Sequence, residues 1–99
     1  MSSLYKKEFP DYDDVLKIPL GFIDNSWHND TCPSILRRYI DTEHTCVDAR
    51  IFQDYKNPLL RESEINKRYS FAIEANSEVI MWKQSDDWDV IEELINMLG

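Results

Sequence analysis

Glycine is scarce in this chain, with two in 99 residues, and cysteine is equally rare. Two glycines leave no Gly-rich loop of the kind that cradles a phosphate. Two cysteines build no disulfide framework, and in an unsecreted chain they are expected as free thiols in a reducing cytoplasm. Long apolar runs are missing too, since nothing approaches the ~18 consecutive apolar residues of a membrane span. Behind Lys6-Lys7 no apolar stretch follows, so the amino-terminal sequence predicts no secretory signal. The scarcity that matters most is of positive charge. Eleven Lys and Arg stand against nineteen Asp and Glu, a net charge of −8. Such a field repels nucleic acid, which is bound through Lys and Arg, and repels anionic membrane. It favours basic partners: a cation, a cationic peptide, or a protein groove built to hold DNA or RNA. Plain solvation accounts for the acidity equally well.

What is present supports one folded domain spanning residues 1–99. Apolar residues make up 42%, with three Trp, five Tyr and four Phe to supply a core. A chain of this length buries enough surface for one core without metal or disulfide support. No repeat or low-complexity stretch interrupts it. The acids gather at the two ends. Glu8, Asp11, Asp13 and Asp14 crowd the amino-terminal segment; Asp86, Asp87, Asp89, Glu92 and Glu93 crowd the carboxy-terminal one, where no basic residue follows Lys83. Between them Arg37, Arg38, Arg50, Arg61, Lys67 and Arg68 nearly balance the acids.

The spacing predicts an α+β domain, an antiparallel sheet of three to four strands packed with two to three helices. Tyr69, Phe71, Ile73 and Ala75 alternate with Arg68, Ser70, Ala72 and Glu74, the period of a half-buried strand. Asn76-Ser77 suits a two-residue turn, because Asn tolerates positive φ. Glu78 to Lys83 then returns, with Ile73 expected opposite Ile80 and Phe71 opposite Trp82 on one buried face. Ala72, Val79 and Met81 would share the other face, a candidate weak-dimer surface. A carboxy-terminal helix follows, capped by Ser85 or Asp86, with Trp88, Ile91, Ile95 and Leu98 as its apolar stripe. Val47 to Asp54 reads as a strand and Leu20 to Trp27 as extended. Ser34 to Ile40 fits either a helix begun by Pro33 or a strand paired with Thr45 to Phe52. Asn57-Pro58 ends a strand, and Leu59 to Asn66 suits a short helix.

Two sets of residues invite a chemical reading. His28, Cys32, His44 and Cys46 offer two imidazoles and two thiolates, as a zinc site or a Cys–His nucleophile pair would require. Their spacing, His-x3-Cys followed by His-x-Cys, lacks the paired knuckle of structural zinc, and no oxyanion turn accompanies them. Turn formation by Asn29 or Asp30 explains that stretch without catalysis. The second set is the acids. Capping the carboxy-terminal helix explains part of Asp86, Asp87 and Asp89. It leaves Asp86, Asp89 and Glu93 as a ridge at i, i+3, i+7, with Asp87 and Glu92 beside it. Asp11, Asp13 and Asp14 would make a second row if they pack nearby.

Trp27-His28-Asn29-Asp30-Thr31-Cys32-Pro33-Ser34, and Asp54-Tyr55-Lys56-Asn57-Pro58-Leu59-Leu60-Arg61-Glu62 followed by Arg68-Tyr69, resemble patterns in small proteins of prophages and plasmids. With the size and the acidity, the chain resembles anti-CRISPR proteins, particularly those of type I-F systems. Members of that group share no common motif, so the resemblance transfers no residue role. Some act as nucleic-acid mimics in the basic DNA-binding cleft of a crRNA-guided surveillance complex. The resemblance therefore implies a non-enzymatic phage-type inhibitor in the cytoplasm of a bacterial host, without cofactor and without direct nucleic-acid or membrane binding, acting as a monomer or weak dimer. The alternatives are an immunity-type or regulatory protein that binds another basic protein, and a metal protein or enzyme built on His28, Cys32, His44 and Cys46.

Overall fold

The structure, a computed structural model, describes residues 4–12, 14–61 and 67–98. It is an α+β fold: a five-stranded antiparallel sheet in sequential order with one helix near each end of the chain. The elements are α1 (Leu4–Glu8), β1 (Ile23–Asp24), β2 (Ser34–Asp41), β3 (Cys46–Gln53), β4 (Tyr69–Ala75), β5 (Glu78–Ser85) and α2 (Trp88–Leu98). Five strands replace the expected three to four, because Ile23–Asp24 joins β2 as a short edge. Each connection brings consecutive strands together as neighbours.

Residues 34–41 are a strand and not a helix. Ser34 lies opposite Phe52 and Asp41 opposite Cys46, so the segment supplies the partner that the free edge of β3 requires. The 310 turn Pro58–Leu60, capped by the Asn57 side chain, occupies the start of the segment expected as a helix from Leu59 to Asn66; residues 62–66 lie outside the described residues.

The β4–β5 hairpin turns at Asn76-Ser77, where φ is 51° and 70°, the left-handed pair of a tight hairpin. Asn76 also bridges to β3, its Oδ1 accepting from the Cys46 N–H at 2.8 Å. Next to the turn the register follows the expected one, with Ala75 opposite Glu78 and Glu74 opposite Val79. A bulge then shifts it by one residue. Ile73 faces Met81, Ala72 faces Trp82 and Phe71 faces Lys83. One inserted residue moves every later side chain to the other sheet face. Trp82 is therefore 53% exposed and Ile80 63% exposed, so the expected buried quartet with Phe71 and Ile73 does not form. The proposed surface of Ala72, Val79 and Met81 fails for the same reason: Ala72 is 1% exposed and its neighbour on β5 is Trp82.

The core lies on one face of the sheet. Ile35, Ala49, Ile51, Tyr69, Phe71 and Ile73 meet Tyr5, Phe9, Tyr12, Leu16 and Phe22 from the amino-terminal segment and Ile91 and Ile95 from α2. Gln53, fully buried among them, ties that segment down: its Oε1 accepts from the Lys17 N–H at 3.0 Å and its Nε2 donates to the Val15 carbonyl at 2.9 Å. No helix among the described residues is long and apolar enough to cross a membrane.

Candidate functional site

Helix α2 packs Ile91 and Ile95 inward, with Trp88 and Leu94 beside them, and this fixes which residues look outward. Asp89 and Glu93, one turn apart, share the outer face, and Glu92 lies on a flank; all three are exposed. Asp87 rather than Ser85 or Asp86 is the N-cap, its Oδ1 accepting from the Asp89 N–H at 2.9 Å. Ser85 serves one step earlier, its Oγ accepting from the Asp87 N–H at 3.0 Å.

Asp86 does not belong to the helical ridge. It precedes α2, and its Oδ1 accepts from the Arg68 N–H at 2.9 Å while Lys67 Nζ lies 3.5 Å and Arg61 Nη1 3.7 Å from its carboxylate. The backbone donor, with those two cations, holds the Asp86 carboxyl below the usual range. The amino-terminal acids arrive at the same place, because Asp14 forms an ion pair with the Arg68 guanidinium. The two acidic clusters thus meet, but across a basic junction that neutralises one acid from each. Asp11 is exposed on the turn after α1, and Asp13 lies outside the described residues. What remains on α2 and its cap is Asp87, Asp89, Glu92 and Glu93. None of these four has an ion pair among the described residues, whereas Asp14, Asp41, Asp48, Glu74 and Asp86 each have a basic partner.

The second set of candidates does not converge. His28 and Cys32 precede β2 while His44 and Cys46 follow it, and eight strand residues separate the pairs by about 23 Å. His28 Nδ1 instead stands 3.5 Å from Glu8 Oε1. Both cysteines are free thiols. Burial first, then the nearby Asp54 carboxylate, pushes the Cys32 thiol up to about 12, so it is a poor nucleophile and a poor metal ligand near neutral pH. No group of three His, Cys, Asp or Glu among the described residues is arranged to hold a metal.

The sheet face opposite the core carries a feature that the sequence reading missed. Two ion pairs cross it, Arg38–Asp48 at 2.9 Å and Arg50–Glu74 at 3.3 Å. Beyond them a cleft of about 330 Å³ opens, lined by Phe52 from β3, Ser70 from β4, Trp82 and Gln84 from β5, and Asn29–Cys32 with Asp54. Ser70 of β4 makes its floor, lying between Phe52 and Gln84, and its Oγ accepts from Gln84 Nε2 at 3.1 Å. The signal in the sequence was the alternation of Ser70 and Ala72 on a strand flanked by aromatics. Its meaning depended on the bulge that turns Trp82 to this side.

No protein-family model matches the chain, and neither a curated protein nor a solved structure shows significant similarity to it.

Proposed function

We propose that this chain is a phage-type inhibitor that seats the outer face of α2 on the basic nucleic-acid-binding surface of a CRISPR surveillance complex and excludes target DNA. The observation that carries this reading is the group of four carboxylates without ion pairs among the described residues, Asp87, Asp89, Glu92 and Glu93, on an element braced against the core by Ile91 and Ile95. Asp14, Asp41, Asp48, Glu74 and Asp86 each have a cationic partner, whereas these four acids stand together on one short element. Asp89 and Glu93 stand about 6 Å apart along the helix axis. One DNA strand carries a phosphate for every ~3.4 Å of axis, so a groove of Lys and Arg spaced for phosphates meets a comparable charge density. The braced helix matters because the backbone that carries the carboxylates needs no ordering on binding.

Binding of the purified chain to a type I-F surveillance complex, measured against salt and against target DNA, tests this. Affinity should fall steeply as salt screens the attraction, and bound chain should compete with DNA. The triple variant Asp89→Lys, Glu92→Lys, Glu93→Lys should fold and lose binding. Equal binding by the folded triple variant, or simultaneous binding of DNA and the chain, removes the α2 face as the site.

A further inference from the structure

We infer that the cleft on the open sheet face is a receptor for one arginine side chain of a basic partner protein. Its walls are aromatic and its floor is small. Phe52 stands on β3 and Trp82 on β5, strands two spacings or about 9.5 Å apart, and Ser70 of β4 lies between Phe52 and Gln84, two residues beyond Trp82. That trough admits a flat group, and a guanidinium stacks on aromatic faces. Trp82, 53% exposed, is available for such a contact.

The remaining lining is acidic or neutral. Asp30 supplies a carboxylate, and the Asp54 carboxylate, whose Oδ1 accepts from the Tyr55 N–H at 2.8 Å, adds negative charge; Asn29 and Gln84 supply amides and Ser70 and Thr31 hydroxyls, and among the described residues no Lys or Arg lines the cleft. The Asp30 side chain has no hydrogen bond or ion pair among the described residues, in contrast to Asp48 and Glu74 on the same sheet face, which Arg38 and Arg50 hold. Arg50 lies beside the cleft, two residues before Phe52, but its Nε is directed to Glu74. The negative field of the cleft is felt by Cys32, whose thiol is kept protonated by burial and then by Asp54 and Asp30. A planar cation that can stack and also donate two parallel hydrogen bonds to the Asp30 carboxylate matches this lining better than a lysine ammonium, which is a compact and strongly hydrated point charge. The polar stretch from Trp27 to Ser34 thereby acquires a role: it brings Asn29, Asp30 and Thr31 to the rim.

The inference rests on the basic-partner reading only for the protein that would carry the arginine, and a peptide probe isolates the cleft from that question. Nitrogen-15 NMR titration of the full chain with acetyl-Gly-Arg-Gly-amide should give saturable shifts at residues 29–32, at Ser70 and Gln84, and at the Trp82 indole N–H. The citrulline analogue, similar in shape but uncharged, should bind at least about tenfold more weakly, as the loss of a charge-assisted hydrogen bond predicts. Asp30→Asn and Trp82→Ala should each weaken the arginine peptide by a similar factor, while the α2 triple variant leaves it unchanged. Equal affinity for citrulline, shifts confined to α2, or no saturable shift at the cleft overturns the inference. A chain that passes this titration yet fails to bind the surveillance complex removes the proposed target and leaves the arginine receptor standing.

Discussion

The Arg68 N–H donates to Asp86 Oδ1 at 2.9 Å, and this bond joins the residue before β4 to the residue that leads into α2. The Arg68 side chain simultaneously meets Asp14, so one residue collects an acid from each end of the chain. The amino-terminal segment and α2 cover the core from the same side of the sheet, and Arg68 lies where they adjoin it. Two carboxylates with the appearance of binding residues are therefore structural.

Asp86→Asn should lower stability at neutral pH and matter less in acid. The Asp86 carboxyl is depressed in the folded chain, chiefly by the Arg68 N–H. Its contribution is present above the unfolded carboxylate value of about 3.9 and is lost as pH falls through the lower folded value. Urea unfolding of both proteins at pH 7 and pH 3 measures this. The difference between them should shrink at the lower pH.

Glu93→Lys should stabilise the chain slightly. Asp89 and Glu93 are like charges one turn apart, and the substitution creates an opposite-charge pair worth about 0.3–0.5 kcal/mol. Thermal unfolding should show a small upward shift in Tm that disappears at high salt. Partner binding should weaken in the same variant, so stability and affinity move in opposite directions.

Ile91→Ala and Trp82→Ala should differ widely. Ile91 is 0% exposed within the core, and its truncation should cost about 2–5 kcal/mol. Trp82 stands on the open face, and its loss should stay within about 1 kcal/mol despite the larger side chain. Chemical denaturation of the two variants checks both the side of the sheet that Trp82 occupies and the bulge that puts it there.

Cys32 should resist thiol reagents in the folded chain at pH 8 and react once the chain unfolds. Its thiol is pushed up to about 12. Because the unfolded thiol ionises near pH 8.5, this group's contribution to stability is intact below that value and declines as pH rises from about 8.5 toward 12. Cys32→Ser should flatten that part of the stability profile. Alkylation followed by mass mapping distinguishes Cys32 from Cys46.

The residues by themselves determined what depends on near neighbours. Asn76-Ser77 between two alternating runs made a hairpin turn because Asn tolerates the positive φ that it needs. The spacing of Trp88, Ile91 and Ile95 made an amphipathic helix, and the acids ahead of it suited its positive end. Val47 to Asp54 alternated as a strand and became β3. Only the tertiary structure decided the rest. Ser34 to Ile40 had residues fit for a strand or a helix, and the unpaired edge of β3 selected the strand. The bulge in β5 inserted one residue, and with a side-chain period of two that step moved Trp82 from the expected core to the open face. Most important for function, the charge total of −8 says nothing about which acids are already paired. Asp14 and Asp86 are distant in sequence from each other and from Arg68, and ion pairing acts only over the few ångströms that folding creates. Asp89, Glu92 and Glu93 keep their charge open because α2 turns its other side to the core.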